Sequence, residues 1–434
     1  MKEIYINKNN LYLFIMLILS IFPIINIAGF GMPILYLLIP IQVVIILQII
    51  FGKRKAPSIS KYIILNFTLI IIEILISTFY GTVDNLNKFI FPTDIIQYIA
   101  RMCIFVFFVD FLYKQKVTSE KFIRYTLIVF NIGMLIGVLQ WIKWPGRELL
   151  VKLYPFKDGV AQLAHLSRNL SGIRIHGIAQ HATSNGGLAV FFFIFGYGIY
   201  RYYGSHKKLS LVLMGLCLIN IFASQSRGGQ MTLVFALILM YFMDIYITRK
   251  SIKNTVYIII IIILGFIVFK FMYENGNPII EKAVYRWQVL FETNGGGRVA
   301  QAYYFLNDIR SIQNFVFGLS KQIVNLSSYA YGVEIEPINI FVTYGILGFL
   351  LHYILIIVLL VYIFKRIRKS AENKACLALM VSSFIGLVSY QVFSVSYFFF
   401  REIRIGLFPW IIIGATIGLY ESKIKNIVSK RREE

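Results

Sequence analysis

The sequence predicts an all-α, polytopic integral membrane protein with about 12 transmembrane helices and two large outer-face loops. Composition is the first reason, because 58% of the 434 residues are hydrophobic and only 15% are charged. That is more apolar surface than one soluble core can bury. Length is the second reason, because the apolar runs reach the ~20 residues that a helix needs to span a bilayer. A transmembrane barrel would have short alternating segments instead.

The apolar runs divide the chain into spans and loops. The first run has the wrong length and no small-residue cleavage site for a signal peptide, so we expect a permanent helix there. Residues 1–142 then hold helices 1 to 5, 143–182 an outer loop, 183–272 helices 6 to 9, 273–336 a large outer loop with short helices, 337–421 helices 10 to 12, and 422–434 a basic cytoplasmic tail. The expected spans lie near 11–30, 33–51, 61–80, 95–113, 122–142, 183–203, 208–223, 229–247, 254–272, 337–364, 375–400 and 403–421.

Positive charge is concentrated in every second short loop, which predicts that these loops and both termini are cytoplasmic. We therefore expect a multi-pass protein of the cytoplasmic membrane, with its active site on the outer face. Anchoring beside anionic lipid headgroups explains most of the net charge of +23, so no nucleic-acid partner is implied. Cys103, Cys217 and Cys376 all fall inside spans and predict neither a disulfide framework nor a metal site.

The first outer loop ends in a cation and two imidazoles, those of Arg174, His176 and His181, just before the small residues that open a span. Unpaired N–H groups at a helix start favour a bound phosphate. The alternative is an interfacial loop whose polar side chains are solvated.

Arg227 follows Ser226 in a tight outer turn between two spans and precedes two glycines. A guanidinium near hydrocarbon is costly and is not needed for orientation here, so it marks a candidate site. Ser226 is a candidate substrate contact beside it. The alternative is that Arg227 extends toward lipid headgroups or caps a helix.

The second outer loop carries a glycine run that leads into Arg298 and an apparently helical stretch. A cation in a first helical turn gains nothing from the helix dipole, so its placement suggests a ligand. Glu336 is expected at the outer membrane surface, where partial burial could make it a base, with Asn339 facing the bundle a turn deeper. A helix-start acid favoured by the dipole is the alternative for Glu336.

Two further charge pairs complete the set of candidates. Arg401 and Arg404 lie between the last two spans and share one face if that segment is helical. Glu73 and Arg101 both lie roughly 10 Å inside the membrane by helical rise, and we expect them to form a structural pair or to line a substrate path.

Several guanidinium groups on one side of a membrane suit pyrophosphate, because the planar fork binds its oxygens bidentately and stays charged. The membrane setting suggests a polyprenyl pyrophosphate. The sequence has no glycine-rich loop with Lys-Ser/Thr and no Asp-x-Asp or His/Asp cluster, so neither a nucleoside triphosphate nor a metal-bound nucleotide sugar is indicated. No cofactor is expected.

Four motifs follow one another along most of the chain. They are Arg174-x-x-Gly, Ser224-x-Ser-Arg-Gly, Gly297-Arg298 with Gly318 after it, and Glu336-Pro-x-Asn339 with Gly345-x-x-Gly348. In this order and topology they resemble the bacterial O-antigen polymerase and ligase superfamily. The first four spans carry little of the resemblance.

The resemblance implies a metal-independent glycosyltransferase that acts on undecaprenyl-pyrophosphate-linked repeat units in O-antigen, capsule or exopolysaccharide synthesis. It implies that Arg227 and Arg298, helped by Arg174, Arg401 or Arg404, stabilise the pyrophosphate leaving group. Glu336 is the leading candidate for the base, followed by His176 and His181. A flippase and a chain-length regulator are candidate partners beside the membrane lipids.

Ligases of this superfamily carry a histidine immediately before the asparagine-containing helix, where this chain has Glu336-Pro337-Ile338-Asn339. This departure favours a polymerase over a ligase. The remaining alternative is a lipid-linked oligosaccharide flippase or exporter, whose cations would be distributed through several spans around a central cavity.

Overall fold

The computed structural model describes residues 8–27, 30–85, 92, 94–154, 174–248, 267, 270–293, 295, 297–321, 333–398 and 402–433. Over these residues the protein is an all-α bundle with one short β-hairpin. Eight of the helices are long and apolar enough to cross a membrane, which confirms the predicted class. These candidate spans are Ser58–Tyr80, Asp94–Tyr113, Ser119–Trp141, Ala182–Tyr203, Arg227–Thr248, Glu336–Ser370, Lys374–Ser394 and Ile405–Lys425.

The described elements are labelled in chain order. They are α1 (Lys8–Ile21), β1 (Ile24–Ile27), β2 (Phe30–Pro33), α2 (Ile39–Ile50), α3 (Ser58–Asn85), α4 (Asp94–Tyr113), α5 (Ser119–Trp141), α6 (Arg147–Leu153), α7 (Ala182–Gly198), α8 (Lys207–Ala223), α9 (Arg227–Thr248), α10 (Pro278–Glu292), α11 (Arg298–Leu306), α12 (Ile312–Phe317), α13 (Glu336–Ile367), α14 (Lys374–Ser394) and α15 (Phe408–Glu433). Short 3-10 turns precede α2 and α15, at Ile34–Leu38 and Ile405–Leu407.

The first predicted span, 11–30, is wrong in its bounds, whereas the second, 33–51, matches the helical segment Ile34–Ile50. Helix α1 ends at Ile21, and the chain then forms an antiparallel hairpin in which Ile24 is opposite Pro33. Pro23 explains the break, since it has no N–H to donate and disfavours helical conformation in the residue before it. The seventh predicted span is the 17-residue helix α8, and the ninth, 254–272, lies mostly outside the described residues.

The last helix packs along α4 through close contact with its backbone. A Cβ atom added to Gly414 would lie 2.7 Å from the carbonyl oxygen of Phe105, and one added to Gly418 would lie 2.6 Å from that of Val109. Small residues four positions apart allow such contact between helices in a membrane, where van der Waals packing replaces the hydrophobic effect as the source of association. This contact places the segment just before α15 against the centre of the bundle.

Helix α13 is broken at Gly345, which has φ 65° and ψ −169°. Helix α12 packs into the break, so a Cβ on Gly345 would lie 2.2 Å from the carbonyl oxygen of Val316. The N–H of Leu319 donates to the carbonyl of Val342 at 2.8 Å beside it. The stretch from Glu336 to the break is therefore a separate short helix, held by α12 at the start of the long spanning helix.

The chain direction places two sets of connections at opposite ends of the bundle. We call one the loop end, where α5 and α14 end and α7, α9, α11 and α13 begin. At the opposite end, basic side chains are matched by carboxylates, as in the pairs Arg54–Asp110 and Arg201–Asp244. Ion pairs of this kind stabilise the bundle. The arginines that the sequence predicts to bind a substrate lie at the loop end, which is therefore the candidate site.

Candidate functional site

Arg174 joins the start of α7 to the turn before α9. Its Nε donates to the carbonyl oxygen of Ser224 at 3.0 Å, and its Nη2 donates to Oγ1 of Thr183 at 3.1 Å. The side chain is half-buried. Arg174 therefore lies at the loop end as predicted, with part of its hydrogen-bonding capacity used to hold the two helix starts together.

Ser226 caps α9. Its Oγ accepts from the N–H of Gly229 at 3.1 Å and donates to the carbonyl of Thr183 at the same distance. Serine is a favoured N-cap because its oxygen satisfies an N–H that has no partner inside the helix. This cap fixes Arg227 as the first residue of α9, and the role of Ser226 as a substrate contact stays a prediction.

The guanidinium groups of Arg227 and Arg298 lie close enough to interact electrostatically. Nε of Arg298 donates to Oε2 of Glu334 at 2.8 Å, so this carboxylate already matches one of the two charges. The first-turn position of Arg298 is thus explained in part by Glu334 as well as by any ligand. Like charges at one place repel each other, and a bound anion would relieve that repulsion.

Helix α10 lies over the same place. The indole N–H of Trp287 donates to Oε1 of Gln230, which is one turn beyond Arg227 on α9, at 3.2 Å. The described part of the large loop predicted between the ninth and tenth spans therefore contacts α9 one turn beyond Arg227.

His181 and Tyr397 meet at the start of α7. The rings stack with centroids 5.4 Å apart and planes at 15°. Nδ1 of His181 accepts the N–H of Thr183 at 3.2 Å, so this imidazole is an N-cap. Burial and then the negative charges of Glu402 and Glu334 raise the pKa of the Tyr397 phenol, which therefore stays a neutral donor.

Glu402 belongs to this site and was missed by sequence reasoning. Its Oε1 accepts the N–H of Gln180 at 2.8 Å, whereas its Oε2 makes no hydrogen bond of good geometry with the described residues. Only 4% of the residue is exposed. Burial raises the pKa of Glu402 to about 8. The Gln180 N–H, then the Ser184 hydroxyl, the charge of Arg404 and the His181 N–H oppose the shift. The available signal was an acid between two arginines in a short connection.

Arg404 lies beneath the surface and not on it. It is 0% exposed, donates from Nη1 to the carbonyl of Ile178, and lies over the ring of Tyr154 with Cζ 5.1 Å from its centroid. Burial lowers the pKa of its guanidinium to about 10. Residues 402–404 are not helical, because the next helical turn begins at Ile405. Arg401, which was predicted to share a helix face with Arg404, lies outside the described residues.

His176 is enclosed in the turn before α7. It is 1% exposed, its Nδ1 is 3.1 Å from the carbonyl oxygen of Gly177, and its Nε2 has no partner among the described atoms. Gln140 holds this turn by accepting from the N–H of Gly177 at 2.8 Å and donating to its carbonyl at 2.9 Å. Burial lowers the pKa of His176 to about 4, so its imidazole is neutral.

Glu336 is not at the surface where the sequence predicted it. It is the first residue of α13, is 1% exposed, and interacts electrostatically with Tyr353 and Tyr390 on the long helices. Asn339 is buried as predicted, but its Nδ2 donates to the carbonyl of Val333 at 2.7 Å. The break at Gly345 explains both positions, because it turns the short first helix back into the bundle.

The predicted pair between Glu73 and Arg101 is wrong. Both residues are buried, but Nη2 of Arg101 donates to Oε1 of Gln97 at 3.2 Å. The Glu73 carboxylate instead faces Gly348, where an added Cβ would lie 2.8 Å from Oε2. Helical rise alone does not give the direction in which each side chain points.

The structure thus brings four predicted residues together with three that were not predicted, and it leaves other predicted residues apart. We call this set the loop-end cluster; Arg404 and His176 lie directly behind it, and Glu336 lies deeper. Among the described residues, no group of three or more His, Cys, Asp or Glu side chains could hold a metal ion. The members of the cluster are Arg174, His181, Arg227, Arg298, Glu334, Tyr397 and Glu402.

No protein-family model matches the chain, and no curated protein matches it.

Proposed function

We propose that the protein is a polysaccharide polymerase. It transfers a growing glycan from undecaprenyl pyrophosphate onto a lipid-linked repeat unit, in O-antigen, capsule or exopolysaccharide synthesis. The observation that carries the proposal is the convergence of Arg174, Arg227 and Arg298 at one end of a membrane bundle, beside a carboxylate and a tyrosine. The family resemblance in the four sequence motifs points to the same activity.

Pyrophosphate is the anion that this cluster suits best. The guanidinium fork binds two oxygens of a phosphate at once, and two or three such forks together match the charge of a diphosphate. Charge grows on the leaving oxygen as the glycosidic bond breaks, so cations that are already in place stabilise the transition state more than the ground state. The reaction then needs no nucleotide and no metal, because the lipid-linked donor supplies the energy.

Membrane orientation follows from the basic loops. We place the loop end on the outer face and the basic short loops of the opposite end in the cytoplasm, with twelve spans and both termini inside. In this orientation the arginines of the cluster lie on the side that the positive-inside rule leaves poor in cations, which supports a binding role for them.

The sequence names Glu336, His176 and His181 as candidates for the base that accepts the proton of the acceptor hydroxyl. His181 uses one ring nitrogen as a cap, His176 is buried behind the cluster, and Glu336 lies among tyrosines of the long helices. Tyr397 interacts electrostatically with both Arg298 and Glu402, so the Glu402 carboxylate belongs to the same cluster as the arginines.

A lipid-linked oligosaccharide flippase is the second candidate. The observation that favours it is Arg101, which is 1% exposed inside a spanning helix and has no partner for Nε or Nη1 among the described atoms. Buried charges of this kind can mark a path through the membrane. A ligase is disfavoured by the missing histidine before Asn339.

One experiment separates these functions. The purified protein is placed in liposomes with the lipid-linked repeat unit extracted from the bacterium that carries the gene, and the glycans are separated on a gel. A polymerase gives a ladder of lengths from this single substrate. A flippase gives single repeats that become accessible to a periodate probe on the other side of the bilayer. Single repeats that neither lengthen nor move contradict both proposals.

A further inference from the structure

The connection between α14 and α15 brings a carboxylate against the start of α7. Residues 180 and 402 are joined by the hydrogen bond from the Gln180 N–H to Oε1 of Glu402. Tyr397, earlier in the same connection, stacks on His181. The backbone N–H thus fixes one carboxylate oxygen of Glu402. Because the carboxylate is planar and rigid, this hydrogen bond also limits the position of the other oxygen.

The second oxygen, Oε2, is buried and makes no hydrogen bond of good geometry with the described residues, although the Ser184 hydroxyl and the His181 N–H lie near the carboxylate. A buried polar atom without a partner costs about 1–3 kcal/mol, and a charged one costs more, so such atoms are uncommon unless they serve a function. The same connection contains Arg404, which leaves Nε and Nη2 without a partner as well. The two side chains do not neutralise each other through an ion pair, although their charges interact.

The groups that face Glu402 come from three elements. Tyr390 on α14 and Tyr397 after it interact with the carboxylate, and Arg404 does so from its own segment. The segment that leads into α7 contributes the N–H groups of Gln180 and His181 and the hydroxyl of Ser184. Tyr397 also interacts electrostatically with Glu334 and Arg298, so a single phenol lies within electrostatic range of both the Glu402 carboxylate and one of the arginines.

We propose that Glu402 is the general base of the transfer, and that its Oε2 takes the proton from the acceptor sugar hydroxyl. This inference rests on the proposed function. The hydroxyl oxygen forms a bond to the anomeric carbon of the donor as the bond from that carbon to the pyrophosphate oxygen breaks. The electron pair of the broken bond stays on the pyrophosphate, where Arg227 and Arg298 balance it. The proton remains on Glu402 until solvent removes it.

The environment of Glu402 suits this role. A base works best when its pKa is near the working pH, and burial moves the pKa of this carboxyl toward that range. His176 is a much weaker base because its pKa is lowered. The anchored Oε1 leaves Oε2 in one orientation, which reduces the entropy lost when the acceptor hydroxyl is aligned.

Glu402→Gln is the main test, because glutamine has nearly the same shape and its amide oxygen can still accept the Gln180 N–H. In the liposome assay we expect kcat for chain extension to fall about 100-fold or more with little change in KM. Wild-type kcat should rise with pH through a midpoint near 8, since only ionised Glu402 accepts the proton. Binding of undecaprenyl pyrophosphate, followed by tryptophan fluorescence, should stay within about twofold.

The outcomes separate this inference from the proposed function. Absence of a ladder from the wild-type protein defeats the polymerase itself. A wild-type ladder together with unchanged kcat in Glu402→Gln contradicts only the role of Glu402 as the base. If chain extension is lost in Glu336→Gln instead, Glu336 is the base. If Glu402→Gln does not fold, Glu402→Ala with added formate replaces it. Restored extension supports the base, and no restoration in a folded Glu402→Ala protein overturns it.

Discussion

The phenol ring of Tyr397 stacks on the imidazole of His181, with the planes 15° apart and the centroids 5.4 Å apart. This contact joins the connection before α15 to the start of α7. It also fixes the phenol oxygen in the region of Glu402, Glu334 and Arg298. The stacked ring therefore has a packing role, whereas we propose that the hydroxyl contacts the substrate. A substitution that keeps the ring can separate these two roles.

Tyr397→Phe keeps the stacked ring and removes only the hydroxyl. We expect a melting temperature in detergent within about 2 °C of the wild type, because the packing is unchanged. Chain extension should fall about tenfold or more, since we expect the hydroxyl to donate to the bound pyrophosphate, and a hydrogen bond to a charged group contributes about 1.5–3 kcal/mol. Tyr397→Ala is the control and should lower both stability and activity. Equal activity of Tyr397→Phe and wild type would leave the tyrosine with a packing role alone.

Arg227→Lys and Arg298→Lys keep the positive charge and lose the planar fork. Each should reduce chain extension by about 100-fold, as the loss of one preorganised donor does in other enzymes. Arg310→Lys is the matched control, because Arg310 is an exposed arginine of the same loop end that, among the described residues, donates to the nearby carbonyl of Asn307 alone. Wild-type chain lengths in Arg227→Lys would contradict the proposal that Arg227 binds the pyrophosphate leaving group.

The fold class and the arginines of the site could be predicted because both depend on local features. A run of apolar residues is a spanning helix wherever it packs, and an arginine in a short connection between spans is unusual in itself. Glu402 could not be predicted in the same way. Its importance comes from contact with Gln180, which is 222 positions away in the chain, and from burial that only the packed bundle creates.

The burial of Glu336 also depends on tertiary packing that the sequence does not specify. Its helix start was predicted correctly, but its depth depends on the break at Gly345, and that break depends on α12 packing into it. The sequence marks Gly345 only as a small residue. For Glu73 and Arg101 the missing information was the rotation of each helix about its axis, which apolar runs without a clear polar face do not specify.

The break in α13 gives a third prediction. Gly345→Ala adds a Cβ 2.2 Å from the carbonyl oxygen of Val316, at a backbone conformation that only glycine adopts without strain. We expect a loss of roughly 2–5 kcal/mol in unfolding free energy and loss of chain extension, because strain and overpacking act together. Gly215→Ala in α8 is the control. A Cβ there meets nothing within 4 Å, so it should be neutral or stabilising by about 0.5–1 kcal/mol.

The buried imidazole of His176 predicts how stability depends on acid. Its folded pKa of about 4 is below the ordinary value of 6.5, so between these values the unfolded chain binds more protons than the folded one. Stability contributed by the neutral ring is therefore complete above pH 6.5 and is lost as the pH falls toward 4, on the order of 3 kcal/mol in total. Glu402 acts in the opposite direction, because its folded pKa is raised to about 8 and its contribution is lost as the pH rises toward that value.

Thermal unfolding in detergent at pH 5, 7 and 9 tests these two opposite dependences of stability on pH. His176→Gln should lose part of the acid sensitivity of the wild type, so its melting temperature relative to wild type should improve between pH 7 and pH 5. Glu402→Gln should improve relative to wild type between pH 5 and pH 9, because it removes a carboxyl that must be ionised while buried. Parallel pH curves for wild type and both variants would mean that neither group carries the perturbed proton affinity on which the assignment of the base depends.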